Sequence, residues 1–285
     1  MRTYIREQRT LCGPRYMEVD LFRVGEQEHR ANTRRKRELA SSLAQQAKNE
    51  KYSKRRFVQI VNTNFSPAAL VLHLTYDDGS RPAPGDKESC DRDFTNFIRR
   101  MRRYMKKNGR GEAKWVSVGE YDRVDEDGTV HGRPHFHMIV EGDISRDELE
   151  ALWCRRNGEK LGLTRCERLD FDHGSVEGLV RYMLKRNKFE RRWRMSRNLK
   201  MPEHPRPNDT KWSRKRLHEA ATLYVDDRKF WERQYPGYRL NGVEPELNGN
   251  GGWHLVVKLR RDPEPERRKP HKKNAKTGRF AGIWG

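Results

Sequence analysis

The chain has 285 residues, a formal net charge of +21 from 62 Lys+Arg against 41 Asp+Glu, and more charged residues (36%) than hydrophobic ones (33%). That length accommodates about two domains; no run nears the roughly 18 to 20 apolar residues of a membrane helix, and residues 1–7 lack the apolar stretch of a secretory signal. Cys12, Cys90, Cys154 and Cys166 form no C-x-x-C pair, which argues against a zinc knuckle or a disulfide framework. The expectation is a cytosolic chain with a polyanionic partner and no membrane.

Residues 1–56 read as an N-terminal extension. Apolar and polar residues alternate over 15–22, which predicts one strand. Leu39, Leu43 and Ala47, four residues apart, predict a helix over 34–51. A compact pattern follows over 57–205. It begins with a strand over 69–76 and a turn-rich stretch over 77–85. Phe94, Phe97, Ile98, Met101, Tyr104 and Met105 then recur at helical spacing, with Arg and Lys on the other face. Strands over 114–121 and 135–140, a helix over 143–153, a strand over 161–171 and a helix over 175–188 complete it. The order β-α-β-β-α-β-α, with a hairpin in the middle, predicts an α+β domain on an antiparallel sheet. The proline-rich stretch 201–207 marks a boundary. Residues 206–285 form a C-terminal segment with a strand over 253–257 and a charged basic tail that reads as mobile. Its Trp231, Tyr235 and Tyr238 either contact DNA or a partner, or form a small packed cap.

Basic residues cluster rather than scatter. There are seven and no acid from Arg99 to Arg110, and nine with one acid from Arg181 to Lys200. Clusters of this kind suit a nucleic-acid surface, where each neutralised phosphate releases counterions.

Period two along a strand puts His135, His137 and Ile139 on one face, where two imidazoles two residues apart can chelate one divalent cation. Alone, such a pair also fits a solvated face. On the preceding strand Val116, Val118 and Glu120 share a face, and the gap from Glu120 to His135 allows a hairpin that sets the strand ends side by side. Glu120 with the two His gives an N,N,O set with open positions for phosphate oxygen and water. His73, also on a candidate sheet strand, stays open as an alternative third ligand. On the helix near residue 180, Val176, Leu179, Val180, Met183 and Leu184 form the apolar stripe, and Tyr182 lies away from its centre. Lys185 is adjacent to Tyr182 on the wheel. A tyrosine off the core beside a lysine fits a nucleophile, or a surface ring packed on a lysine stem.

Together these elements resemble the HUH endonucleases, specifically the rolling-circle replication initiators of small phages and plasmids. The resemblance rests on Val71-Leu72-His73-Leu74-Thr75-Tyr76, Gly119-Glu120-Tyr121, Gly132-Arg133-Pro134-His135-Phe136-His137 and Arg181-Tyr182-Met183-Leu184-Lys185, in the family's order and spacing. It implies a five-stranded antiparallel sheet with flanking helices (an RRM/ferredoxin-like HUH nuclease fold) between N- and C-terminal extensions. It also implies a Mg²⁺ or Mn²⁺ ion on His135, His137 and Glu120, attack by Tyr182 on single-stranded DNA at a replication origin, and a 5′-phosphotyrosine on the protein. Lys185 would orient or stabilise the phenolate. The implied partners are that DNA and a host helicase and polymerase, in the cytoplasm of a bacterial host. Some phage initiators carry a second tyrosine four residues after the first; here that position is Arg186, so a one-tyrosine enzyme is expected. No Walker motif follows, so no fused helicase is expected. Alternatives are a single-strand transposase or relaxase using the same chemistry, or a non-catalytic basic nucleic-acid-binding protein.

Overall fold

The computed structural model describes residues 3–25, 43–171, 176–184, 193–248 and 251–261. The chain opens with two strands, β1 (Thr3–Cys12) and β2 (Tyr16–Gly25), paired antiparallel from Cys12↔Tyr16 outward. Gly13 turns between them with φ +69°, and a Cβ there would lie 2.9 Å from the backbone oxygen of Asn62. Glycine therefore suits this tight turn, which sits against the next helix. That helix, α1, spans Leu43–Asn64. The segment 34–42 of the expected helix lies outside the described residues, and the C-terminal end is corrected: the helix runs to Asn64, not Lys51. Phe57, Ile60 and Val61 are fully buried on its continuing apolar face, and burial outweighs the polar run before them.

Next come β3 (Leu70–Thr75), α2 (Lys87–Lys107) and β4 (Lys114–Glu120). A two-stranded ribbon of β5 (Arg123–Val124) and β6 (Val130–His131) leads into β7 (His135–Glu141). Then follow α3 (Arg146–Leu152), β8 (Thr164–Arg168), α4 (Glu177–Met183) and β9 (Arg194–Met195). Five strands form one sheet in the order β8-β3-β7-β4-β9, every pair antiparallel. Strand β8 is shorter than expected because the amide of Leu161 donates to the carbonyl of Trp153 instead of extending the ladder.

Alternation gives this sheet two apolar faces. Leu72, Leu74, Phe136, Met138 and Val140 pack under Phe94, Phe97 and Met101 of α2 and Trp153. Val71, Val116, Val118 and Ile139 face the other way, against Phe57, Ile60 and Val61 of α1 and Val180, Met183 and Leu184. The second face carries the candidate site.

The C-terminal segment is more ordered than its composition suggested. It forms α5 (Arg214–Thr222), α6 (Arg228–Gln234), β10 (Arg239–Leu247) and β11 (Trp253–Arg260). Strand β11 pairs with β2, which makes a second antiparallel sheet, β1-β2-β11-β10, from both ends of the chain. Met17, Val19, Leu21, Leu255, Val257 and Leu259 pack against Trp212, Leu217, Trp231 and Tyr235; of the two expected roles for these aromatics, Trp231 and Tyr235 take the packed one. Residues 262–285, with most of the basic tail, lie outside the described residues. Among the described residues no helix is long and apolar enough to cross a membrane.

Candidate active site

Strand β7 carries the inward-facing row Ile139, His137, His135, running outward from the core. Antiparallel register sets His137 opposite His73 of β3 and Val118 of β4, and His135 opposite Thr75 and Glu120. Helices α1 and α4 cover the valine and isoleucine end of this face, leaving the histidine end open to a ligand. The side chain of His137 is 5% exposed and that of His135 18%.

One ring nitrogen from each of His73, His135 and His137 lies within 4.8 Å of the others. The rings of His73 and His137 stack at 4.6 Å, and His135 stands edge-on to both. Glu120 approaches from β4, with its two carboxylate oxygens 3.6 Å from Nε2 of His135 and of His137 respectively. Nδ1 of His135 is 2.8 Å from the carbonyl oxygen of Arg133, which orients the ring. Burial first, and then His137 and His135, pull the His73 imidazole down to about 4, so it is neutral and its lone pair is free to coordinate at physiological pH.

Nε2 of His73 and Nε2 of His137 are buried without a hydrogen-bond partner among the described residues. Buried polar nitrogens without partners are uncommon and costly. Two of them converging with a third imidazole and a carboxylate fit a divalent cation.

Tyr182 stands on α4 with Val180, Met183 and Leu184 buried beside it and its own side chain 56% exposed. Its ring meets that of His137 edge-on at 5.1 Å. Four of the five residues singled out from sequence therefore come together: His135, His137, Glu120 and Tyr182. The fifth, Lys185, lies outside the described residues. His73 completes the imidazole cluster; its place one strand over from His137 was the signal for it, and only the register makes them neighbours.

A cleft of about 330 Å³ adjoins the cluster, lined among others by His73, His135, Thr75, Arg81 and Arg133. Arg81 pairs with Asp122 at 2.5 Å, and Arg133 pairs with Asp78. The cleft thus has cationic groups at its mouth that are partly neutralised by neighbouring carboxylates.

Residues 69–187 are similar to a family of replication-associated proteins, the ORF2 type. This stretch contains every residue of the cluster, Tyr182 and Lys185. No curated protein matches the chain, nor does any solved structure.

Proposed function

We propose that this protein is a site-specific endonuclease and strand transferase that nicks single-stranded DNA at an origin to initiate rolling-circle replication. The observation that carries the reading is the exposed Tyr182 ring edge-on to His137, above imidazole nitrogens that lack protein partners. Similarity to a replication-associated family and a net charge of +21 support a DNA substrate.

In the proposed reaction the phenol oxygen of Tyr182 loses its proton and attacks phosphorus. The P–O3′ bond breaks, and the departing oxygen takes up a proton. A free 3′-OH and a 5′-phosphotyrosine result. One phosphodiester replaces another, so the same groups can later rejoin the strand. His73, His135, His137 and Glu120 would hold the ion, Mg²⁺ or Mn²⁺, which supplies Lewis-acid polarisation of the scissile phosphate. Imidazole nitrogens suit Mn²⁺ better than the oxygen-seeking Mg²⁺. Lys185 would sit near the phenol and favour its ionised form. The freed 3′-OH is a primer for a host polymerase, with a host helicase opening the duplex.

The test is a denaturing gel of labelled origin-strand oligonucleotides with Mn²⁺ or EDTA. A protein–DNA adduct is expected that requires the metal and disappears in Tyr182→Phe. Tight binding without any adduct would overturn the reading in favour of a non-catalytic DNA-binding protein.

A further inference from the structure

The nucleophile assigned above rides on a helix of seven residues. Helices this short have little stability of their own, so their placement comes from tertiary contacts. Val180, Met183 and Leu184 press α4 onto the five-stranded sheet. Apolar burial is non-directional, however, and limits rotation about the helix axis only weakly. At the N-terminal end, Val176 supplies no side-chain cap.

The polar anchor comes from elsewhere in the chain. Glu177, in the first turn of α4, receives Nζ of Lys258 on β11 at 2.7 Å. The hydroxyl of Tyr16 on β2 lies 3.4 Å from the same carboxylate oxygen. Both partners are themselves held. Lys258 is 13% exposed and also binds Glu244 of β10 at 2.6 Å. Tyr16 is buried and donates to Glu18, which is clasped by Arg55 and Gln59 of α1. Three strands of the terminal sheet and α1 thus converge on one carboxylate at the start of the tyrosine's helix.

We propose that Glu177 and Lys258 are positioning residues: the sheet made from the two ends of the chain sets the rotation of α4, and with it the place of the Tyr182 phenol over the histidine cluster. This rests on Tyr182 being the nucleophile. The lever is short and stiff. Glu177 and Tyr182 are about 7.5 Å apart along the axis, and turning the helix by about 10° at a radius of about 6 Å moves a side chain by about 1 Å. A misplacement of about 1 Å can slow chemistry by about 100-fold while leaving substrate binding intact.

The experiment compares wild type, Lys258→Met, Lys258→Arg, Glu177→Gln, the Lys258→Met/Glu177→Gln double variant and Tyr182→Phe. Adduct formation is measured in single turnover at saturating oligonucleotide and Mn²⁺, beside DNA affinity, Mn²⁺ affinity and melting temperature. Lys258→Met and Glu177→Gln should form adduct about 10- to 100-fold more slowly, with DNA and Mn²⁺ affinities unchanged. Lys258→Arg should recover most of the rate, and the double variant should be no slower than the slower single one. If Lys258→Met fails to fold, the near-isosteric Glu177→Gln decides. Wild-type rates in folded variants would overturn the proposal, as would a loss explained wholly by weaker DNA binding, or Lys258→Arg as slow as Lys258→Met. An adduct surviving in Tyr182→Phe would instead remove the nucleophile on which the proposal rests. Its disappearance there, with Lys258→Met at full rate, would remove positioning alone.

Discussion

His73 differs from an ordinary sheet histidine in one respect: its buried Nε2 has no partner among the described residues, although the ring is stacked on His137. Period two placed it on the correct face, but the same is true of Val71 and Thr75. It becomes a ligand candidate only because β3 lies directly beside β7 in register. Glu120 arrives from the other neighbour, β4, so the three strands contribute His73, the His135–His137 pair and Glu120. His73→Ala and His137→Ala should therefore each weaken Mn²⁺ binding by roughly 100-fold or more, beyond what loss of an outer-shell partner costs. Isothermal titration calorimetry checks this without any DNA present. Unchanged affinity in His73→Ala would remove it from the ligand set and leave His135, His137 and Glu120.

At the scale of elements, α2 divides its residues cleanly. Cys90, Phe94, Phe97, Ile98, Met101 and Met105 are buried on the sheet face opposite the histidine cluster. Arg92, Arg99, Arg102, Arg103, Lys106 and Lys107 are exposed, with no exposed acid from Arg92 to the end of the helix. Replacing Arg99, Arg102, Arg103 and Lys106 together by Gln should weaken DNA binding and flatten its salt dependence by about 0.7–0.9 in slope for each residue that meets a phosphate. Fluorescence anisotropy over a salt series is the measurement; an unaltered slope would mean that this face only keeps the protein in solution. The fold is expected to tolerate the change, because the buried stripe is untouched. This helix was legible beforehand, since an apolar row at helical spacing is a local signal. Helices α5 and α6 were not, because each is short and follows proline-rich or irregular polar sequence; their caps Ser213 and Asp227 are the only local marks.

Over the whole molecule, the terminal sheet is attached through a polar face rather than an apolar one. Glu18 and Asp20 of β2 meet Arg55 of α1 at 2.5 to 2.8 Å, and His254 of β11 lies 3.0 Å from Asp20. Burial pushes the Asp20 carboxyl up, but the hydrogen bonds from His254 and Arg55 outweigh it and hold it below its ordinary 3.8. Glu244 is likewise held below 4.5 against burial by Lys258. Depressed carboxyls contribute stability that is complete above their unfolded values and is lost as pH falls through the folded ones. Lys258, raised above 10.5 by Glu177 and Glu244 despite burial, contributes in full below that value and loses it only above. The urea midpoint should hold level through neutral pH and fall below about pH 4, by up to about 1.4 kcal/mol per pH unit for each extra proton taken up on unfolding less those taken up while folded. Asp20→Asn should make that acid limb shallower. An equally steep limb in the variant would place the acid sensitivity elsewhere.

Local periodicity determined the elements around the site: the inward row His135, His137, Ile139, the carboxylate at the end of β4, and a tyrosine lying off the apolar stripe of its helix. It also determined the α+β class and the polyanion-binding character, because alternation, helical spacing and charge are properties of short stretches and of sums. It did not determine which strands become neighbours. Residues 73 and 137 are paired only by the order β3-β7-β4, which depends on the packing of α1, α2 and α4 on the two faces. Nor did it reveal that β2 and β11, from opposite ends of the chain, share one sheet whose polar row meets Arg55 and Glu177. In sequence, alternating Glu18 and Asp20 read as an ordinary solvent-facing row. Only tertiary structure buries that row, because the desolvated carboxylates find their cations on elements remote in the chain.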